Sequence, residues 1–137
     1  MSVKYYDWTA YHADMRGDKV AIVDLDNDND LTYQALEDHA NRLASWLQGQ
    51  GVVGGDRVAL LIPNCPEVFE AQFACSKIGA ICIPLNWRLS VPELEYILGD
   101  STPKVLVFDT KFADAATQLT DRCKVPSQLQ VDEEDAN

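Results

Sequence analysis

Basic charge is what this 137-residue chain has least of. It carries 11 Lys and Arg against 22 Asp and Glu, a formal net charge of −11. A chain so acidic repels nucleic acid and anionic lipid, so neither is an expected partner. Long apolar runs are missing too. No stretch approaches the roughly 18 apolar residues of a membrane span, and Met1 to Tyr11 holds no apolar signal core. The four cysteines, Cys65, Cys75, Cys82 and Cys123, form no C-x-x-C pair, which speaks against a zinc knuckle or a thioredoxin-like site. Reduced thiols and a soluble, cytoplasmic protein are expected. The two histidines, His12 and His39, have no neighbours of triad or metal-ligand type. His39 falls toward the polar side of a helical stripe and reads as a surface imidazole. There is no G-x-S-x-G elbow, no H-E-x-x-H and no G-x-x-x-x-G-K-[ST] loop. Gly49, Gly51, Gly54 and Gly55 cluster, but they precede a strand, whereas a dinucleotide-binding loop follows one and opens a helix.

What is present reads as a globular domain. The apolar fraction, 47%, is ordinary, and a chain of this length can bury about two-thirds of its unfolded surface. Val20–Leu25 is a short apolar run followed by Asp26-Asn27-Asp28-Asn29-Asp30, strong turn chemistry, before Leu31 resumes the apolar signal. A hairpin-like turn leading into a helix is predicted. Thr32 suits the N-cap of that helix. Tyr33, Leu36, Ala40, Leu43, Ala44 and Leu47 recur at helical spacing, and Gly49 and Gly51 stop it.

Val58–Ile62 is then apolar without alternation, as in a strand buried on both faces of a parallel sheet. Asn64, with Pro66 and Glu67 after it, reads as the cap of a helix that ends at Gly79. Ala80–Pro84 is a second strand, so residues 58–84 form a βαβ unit. The rhythm repeats. Ser90 and Glu93 form a capping box, Leu94, Ile97 and Leu98 a helical stripe, and Gly99 its stop. Lys104–Phe108 is a third strand and residues 111–121 a helix. After Pro126 the pattern fades. Val125 and Leu129–Val131 are compatible with another strand, but residues 126–137 are expected to be poorly ordered. Asp132, Glu133, Glu134 and Asp135 form a solvated acidic run. The fold class is α/β, a parallel sheet of βαβ units with helices on both faces. Three central strands alone leave open apolar edges, a liability in a free-standing protein.

Three groups of residues bear on chemistry. Asp26, Asp28, Asp30 and Glu37 match positions of a calcium loop, but Leu31 stands where that loop needs glycine, and an acidic hairpin turn is the simpler reading. Asp24 and Asp109 follow apolar strands, as acids in a flavodoxin-like or response-regulator-like domain would. Neither has a supporting partner that the sequence locates. The loop Leu85-Asn86-Trp87-Arg88-Leu89 leaves the carboxyl end of the second strand, where open α/β sheets bind ligands. Asn86 can donate and accept hydrogen bonds, and Arg88 can grip a phosphate bidentately. The alternative is that Trp87 and Leu89 pack while Arg88 is an exposed bystander.

The order of several short blocks adds to this. Leu31-Thr32-Tyr33-Gln34-Ala35-Leu36, Ala40-Asn41-Arg42-Leu43-Ala44, Gly55-Asp56-Arg57-Val58-Ala59, Pro63-Asn64-Cys65-Pro66-Glu67, Lys77-Ile78-Gly79-Ala80, Pro84-Leu85-Asn86-Trp87-Arg88-Leu89 and the helix Glu93-Leu94-Glu95-Tyr96-Ile97-Leu98 resemble the adenylate-forming acyl-CoA synthetases in order and spacing. The resemblance spans about residues 8 to 109 and is nearest to fatty-acid– and other carboxylic-acid–CoA ligases. It implies a large α/β amino-terminal domain. It also implies a carboxylic-acid substrate activated with ATP and Mg2+ to an acyl-adenylate, then passed to coenzyme A. By resemblance, Arg88 takes the position of an arginine that contacts the nucleotide phosphate of coenzyme A in some of these ligases.

The family's Ser/Thr/Gly-rich phosphate loop ending in Pro-Lys-Gly has no counterpart here. Nor have its adenine- and ribose-binding segments, its hinge or its small carboxyl-terminal domain with a catalytic lysine. Residues 1–137 therefore read as an incomplete amino-terminal portion of the ligase domain, inactive alone and without strong affinity for ATP, Mg2+ or coenzyme A. The alternative is a non-catalytic interaction protein that docks through open sheet edges to the missing remainder or to a relative.

Overall fold

The computed structural model describes residues 6–131. The chain opens with a helix, α1 (Trp8–Arg16), which the weak apolar periodicity of this segment did not announce. Asp7 caps it by accepting a hydrogen bond from the Ala10 amide, 3.2 Å. The predicted hairpin follows as β1 (Val20–Asp24) and β2 (Asn29–Thr32), antiparallel and separate from the main sheet. Asp24 closes its turn by accepting from the amides of Asp26 and Asn27 and from the Asn27 side chain. Thr32 caps α2 (Tyr33–Gly49) through the Ala35 amide, as the sequence indicated.

The main sheet has four parallel strands in the order β4-β3-β5-β6. They are β3 (Arg57–Leu61), β4 (Ile81–Pro84), β5 (Val105–Asp109) and β6 (Ser127–Val131). Between them run α3 (Pro66–Ile78), α4 (Val91–Ser101) and α5 (Ala113–Cys123). Successive strand residues point to opposite faces, which divides the core in two. Val58, Leu60, Ile62, Val105 and Val107 face α2 and α3. Ala59, Leu61, Leu106 and Phe108 face α4 and α5. Every residue of β5 is buried, which is why its run shows no polar alternation. Helices thus cover both faces, as expected for the fold class.

Four local expectations need correction. Residues 127–131 are not poorly ordered. They form β6, held by five register pairs to β5, because backbone pairing orders a strand even where its side chains alternate polar. The acidic run at 132–135 lies outside the described residues. The cap of α3 is Cys65, not Asn64: Pro66 occupies the first helical position, which moves the cap to the residue before it, and no side chain bonds there. Gly99 does not stop α4. A glycine inside a helix costs only about 1 kcal/mol, and the stop falls at Thr102, left-handed at φ 46°.

The last correction concerns His39. It is not a surface imidazole, since its Nδ1 lies 2.6 Å from Oε1 of Glu70 on α3, at the half-buried seam of α2 and α3.

The amino ends of the strands are stapled. Arg57 donates from Nε to the Ser101 carbonyl at 2.7 Å and from Nη1 to the Gly55 carbonyl at 3.0 Å. Its Nη2 reaches the carbonyl and hydroxyl of Thr102 at 3.1 and 2.9 Å. A left-handed β-branched residue is disfavoured by sterics, and these bonds to α4's last carbonyls offset that cost. Lys104 lies 2.8 Å from Asp56. Its hydrogen bond, with the Val53 amide, holds the Asp56 carboxyl below the usual range. Gly55 donates its amide to Gly79 at 2.8 Å, and Gly79 itself sits at φ 71° against Gly54, a conformation that favours glycine.

The interior ion network ties α1 down. Nζ of Lys77, 8% exposed, lies 2.7 Å from Asp7 and 2.8 and 2.9 Å from the two oxygens of Glu37. Burial pulls the Lys77 ammonium down, but the carboxylates of Asp7 and Glu37 outweigh it and raise its pKa. Burial pushes Asp7 up, and its hydrogen bonds to Lys77 and Ala10 reverse that, leaving it lowered. No helix among the described residues is long and apolar enough to cross a membrane.

Candidate functional site

At the carboxyl ends of the strands the protein is open. Strands β3 and β5 are hydrogen-bonded neighbours, yet β3 runs on into α3 on one face and β5 into α5 on the other. Adjacent strands with connections to opposite faces leave a crevice, the place where α/β sheets hold ligands. Beside it β4 delivers the loop that the sequence singled out. Leu85 is buried and donates its amide to the Leu60 carbonyl at 2.9 Å, which anchors the loop to β3. Asn86, Trp87 and Arg88 are exposed beyond it.

This loop is shaped from within. Oδ1 of Asn86 accepts the Arg88 amide at 3.1 Å, and its carbonyl accepts the Leu89 amide at 3.0 Å. The turn so made lays the Arg88 guanidinium over the Trp87 ring, 4.3 Å from its centroid, inside the range of cation–π attraction. Trp87 in turn leans on Phe112, ring centroids 6.0 Å apart. Packing of Trp87 and service by Arg88, posed as alternatives from sequence, are therefore compatible. The ring is the platform that orients the cation. Asn64, before α3, and Val68 on it complete a cavity of about 300 Å³ behind the loop. Its surroundings suit an anionic, partly apolar ligand, since Arg88 supplies charge while Leu85 and Val68 supply an apolar wall.

The remaining sequence candidates are placed elsewhere. Asp109 is buried at the end of β5 and caps the following turn through the Lys111 amide at 2.9 Å. Asp24 serves the hairpin turn. The two acids have separate local tasks. Glu37, posed as the last ligand of a calcium loop, is committed to Lys77 and to the Asn41 amide group at 2.8 Å. Among the described residues no three His, Cys, Asp or Glu converge as a metal site. The His39–Glu70 pair borders a second crevice of about 300 Å³, with Arg42, Glu67 and Gln130 on its rim. Periodicity alone could not pair His39 with a carboxylate 31 positions away; only the meeting of α2 and α3 does so.

The whole is a doubly wound α/β unit with a cationic loop at its strand ends. The family comparison sharpens that class. Residues 9–137 match the AMP-binding enzyme family, and the chain belongs to it. It is 46% identical over 89 residues to feruloyl-CoA synthase of an Amycolatopsis species, covering 65% of this chain and 18% of that protein. A long-chain-fatty-acid–CoA ligase of Mycobacterium tuberculosis is 41% identical over 109 residues, covering 80% and 22%. Among solved structures, the N-terminal domain of FACL13 from Mycobacterium tuberculosis superposes with a TM-score of 0.85 at 31% identity, covering 94% of this chain and 34% of that one. The resemblance read from the sequence blocks is thereby established. The chain spans about a fifth of the length of the curated relatives it matches.

Proposed function

We propose that this chain is the amino-terminal lobe of an ATP-dependent fatty-acid– or carboxylic-acid–CoA ligase, and that alone it has no turnover. One observation carries the reading. The Asn86-Trp87-Arg88 loop, held at the carboxyl end of a parallel strand, lies inside a chain whose relatives are acid–CoA ligases. In the proposed reaction a carboxylic acid displaces pyrophosphate from ATP, and the acyl group then passes from AMP to the thiol of coenzyme A.

The loop fits a role toward coenzyme A. The exposed Arg88 guanidinium, preset by Trp87, takes a phosphate at the nucleotide end. Asn86 keeps the turn that presents it, and coenzyme A supplies the acceptor thiol. Among the described residues no three His, Cys, Asp or Glu come together, and no step through ATP or Mg2+ is assigned to this lobe. The flanks of β4 and β6 are the ends of the four-stranded sheet, and in this reading they receive the rest of the domain.

The test is pyrophosphate release from the 137-residue chain with ATP, Mg2+ and a panel of aliphatic and aromatic acids. None above background is expected. Robust turnover would overturn the claim that this lobe lacks a complete site.

A further inference from the structure

The Arg88 loop has a support that comes from another strand. Trp87 is 37% exposed, and its ring centroid lies 6.0 Å from that of Phe112, with the planes inclined by 32°. That separation is within the range of attractive aromatic pairs. Phe112 ends a short helical turn, Thr110–Phe112, that follows β5. The turn is fixed from two sides. Asp109, buried at the end of β5, accepts the Lys111 amide at 2.9 Å. Gln130 of β6 donates from Nε2 to the Thr110 hydroxyl at 3.2 Å. Phe112 itself is half-buried and packs against the core layer beneath α4 and α5. Lys111 Nζ lies 5.7 Å from its ring centroid, within cation–π reach.

The loop thus has seated ends and a presented middle. Leu85 and Leu89 rest on the core at either end. Between them Asn86, Trp87 and Arg88 are exposed, and the hydrogen bonds of Asn86 fix the backbone turn rather than the Arg88 side chain. Among the described residues no hydrogen bond or ion pair holds the Arg88 guanidinium. It is placed by the indole it lies on, 4.3 Å from the centroid, and the indole is placed by Phe112. A long cationic side chain loses rotamer freedom when it meets an anion, and a stacked planar guanidinium has lost much of it beforehand.

We propose that Phe112 is a positioning residue: through Trp87 it holds the Arg88 guanidinium ready for a phosphate, without itself meeting the ligand. The phosphate is the one at the nucleotide end of coenzyme A, so this role rests on the function proposed above. The buried Asp109 gains a task as well, since the turn it caps is the one that sets Phe112.

The experiment follows the Arg88 Nε–H resonance of the isotopically labelled 137-residue chain, assigned by its loss in Arg88→Lys. The indole ring current shifts this resonance, and Trp87→Leu marks its unstacked position. Phe112→Leu and Phe112→Met keep an apolar side chain against the core and should move it more than half of the way to that mark. Phe112→Tyr keeps the ring and should leave it in place. In a chimaera joining this lobe to the remainder of an acid–CoA ligase relative, Phe112→Leu should raise KM for coenzyme A about threefold without lowering kcat. Phe112→Tyr should keep the parent KM. A resonance unmoved by both ring deletions overturns the proposal, and so does a KM that Arg88→Ala raises but Phe112→Leu does not. If the resonance moves while neither variant changes KM, Phe112 still sets Arg88, and the assignment to coenzyme A is what fails.

Discussion

The two ends of the parallel sheet are built to opposite rules. At the amino ends nearly every polar group is spent on the fold. Arg57 makes four hydrogen bonds to the backbone and side chain around α4's terminus and the 55 turn. Lys104 pairs with Asp56, and Lys77 gathers Asp7 and Glu37. At the carboxyl end of β4 the polar groups of the loop are exposed and locally held. Asn86 organises only its own turn, and Arg88 rests on one indole ring. Polar groups spent on the fold and an exposed cationic loop thus occupy separate ends of the same strands. A cation at the first end, Lys77, is buried among its acceptors, while Arg88 at the second is exposed over an indole ring.

Breaking the stapled end has the larger cost. Lys77→Met removes the ammonium and leaves Glu37 buried without its cation. Loss of one partner of a buried pair costs about 3 kcal/mol, and urea unfolding should show a fall of that order. Arg57→Ala frees the last carbonyls of α4 and the strained Thr102. Charged hydrogen bonds of this kind are worth about 2 kcal/mol together here. The same unfolding assay reads the loss, and unchanged stability in either variant would erase the distinction between the two ends.

Acid sharpens the comparison. Asp7 has a folded pKa below its ordinary 3.8, so its contribution is present above that value and is lost as pH falls through the folded one. Lys77 has a folded pKa above 10.5, so its contribution is full below 10.5 and is lost as pH rises through the folded value. Between those limits the tether of α1 should be independent of pH. In Asp7→Asn the acid limb of the stability profile should shrink relative to the parent, as measured by urea unfolding across pH 2 to 6, an order-of-magnitude window about the carboxylate range.

The open end should respond in the reverse sense. Arg88→Ala leaves stability within about 0.5 kcal/mol, as exposed substitutions do. In a chimaera joining this lobe to the remainder of an acid–CoA ligase relative, it should raise KM for coenzyme A about tenfold, the loss of one charge-assisted phosphate contact. Adenylation, read as pyrophosphate exchange without coenzyme A, should not change. Arg88→Lys restores charge but not the planar stack on Trp87, and recovers only part of the affinity.

Local chemistry made much of this legible in the chain. The runs Val58–Ile62 and Val105–Phe108 are apolar throughout because both faces of their strands are covered. Thr32 and the Ser90–Glu93 pair act within three or four residues of themselves, and both appear as read: Glu93 accepts the Ser90 amide at 2.8 Å. Failures came where a choice depended on residues far away. Gly99 looked like a helix stop, but α4 runs on to Ser101, where Arg57, 44 positions away, donates to the Ser101 carbonyl. His39 looked exposed until α3 supplied Glu70. Helix α1 has one buried residue, Thr9, so little apolar pattern marks it, and its anchor is the distant Lys77.

The amino-acid order alone determined the α/β rhythm, the caps at Thr32 and Ser90, the family and the loop that bears Arg88, because each is a matter of spacing within a few residues or of short blocks in sequence. Tertiary structure alone decided which cation is buried and which is exposed, that His39 meets Glu70, and that Trp87 carries Arg88 rather than competing with it. Those outcomes rest on side chains from different elements reaching contact distance, and that distance is set only when the sheet and its two helical layers close on one another.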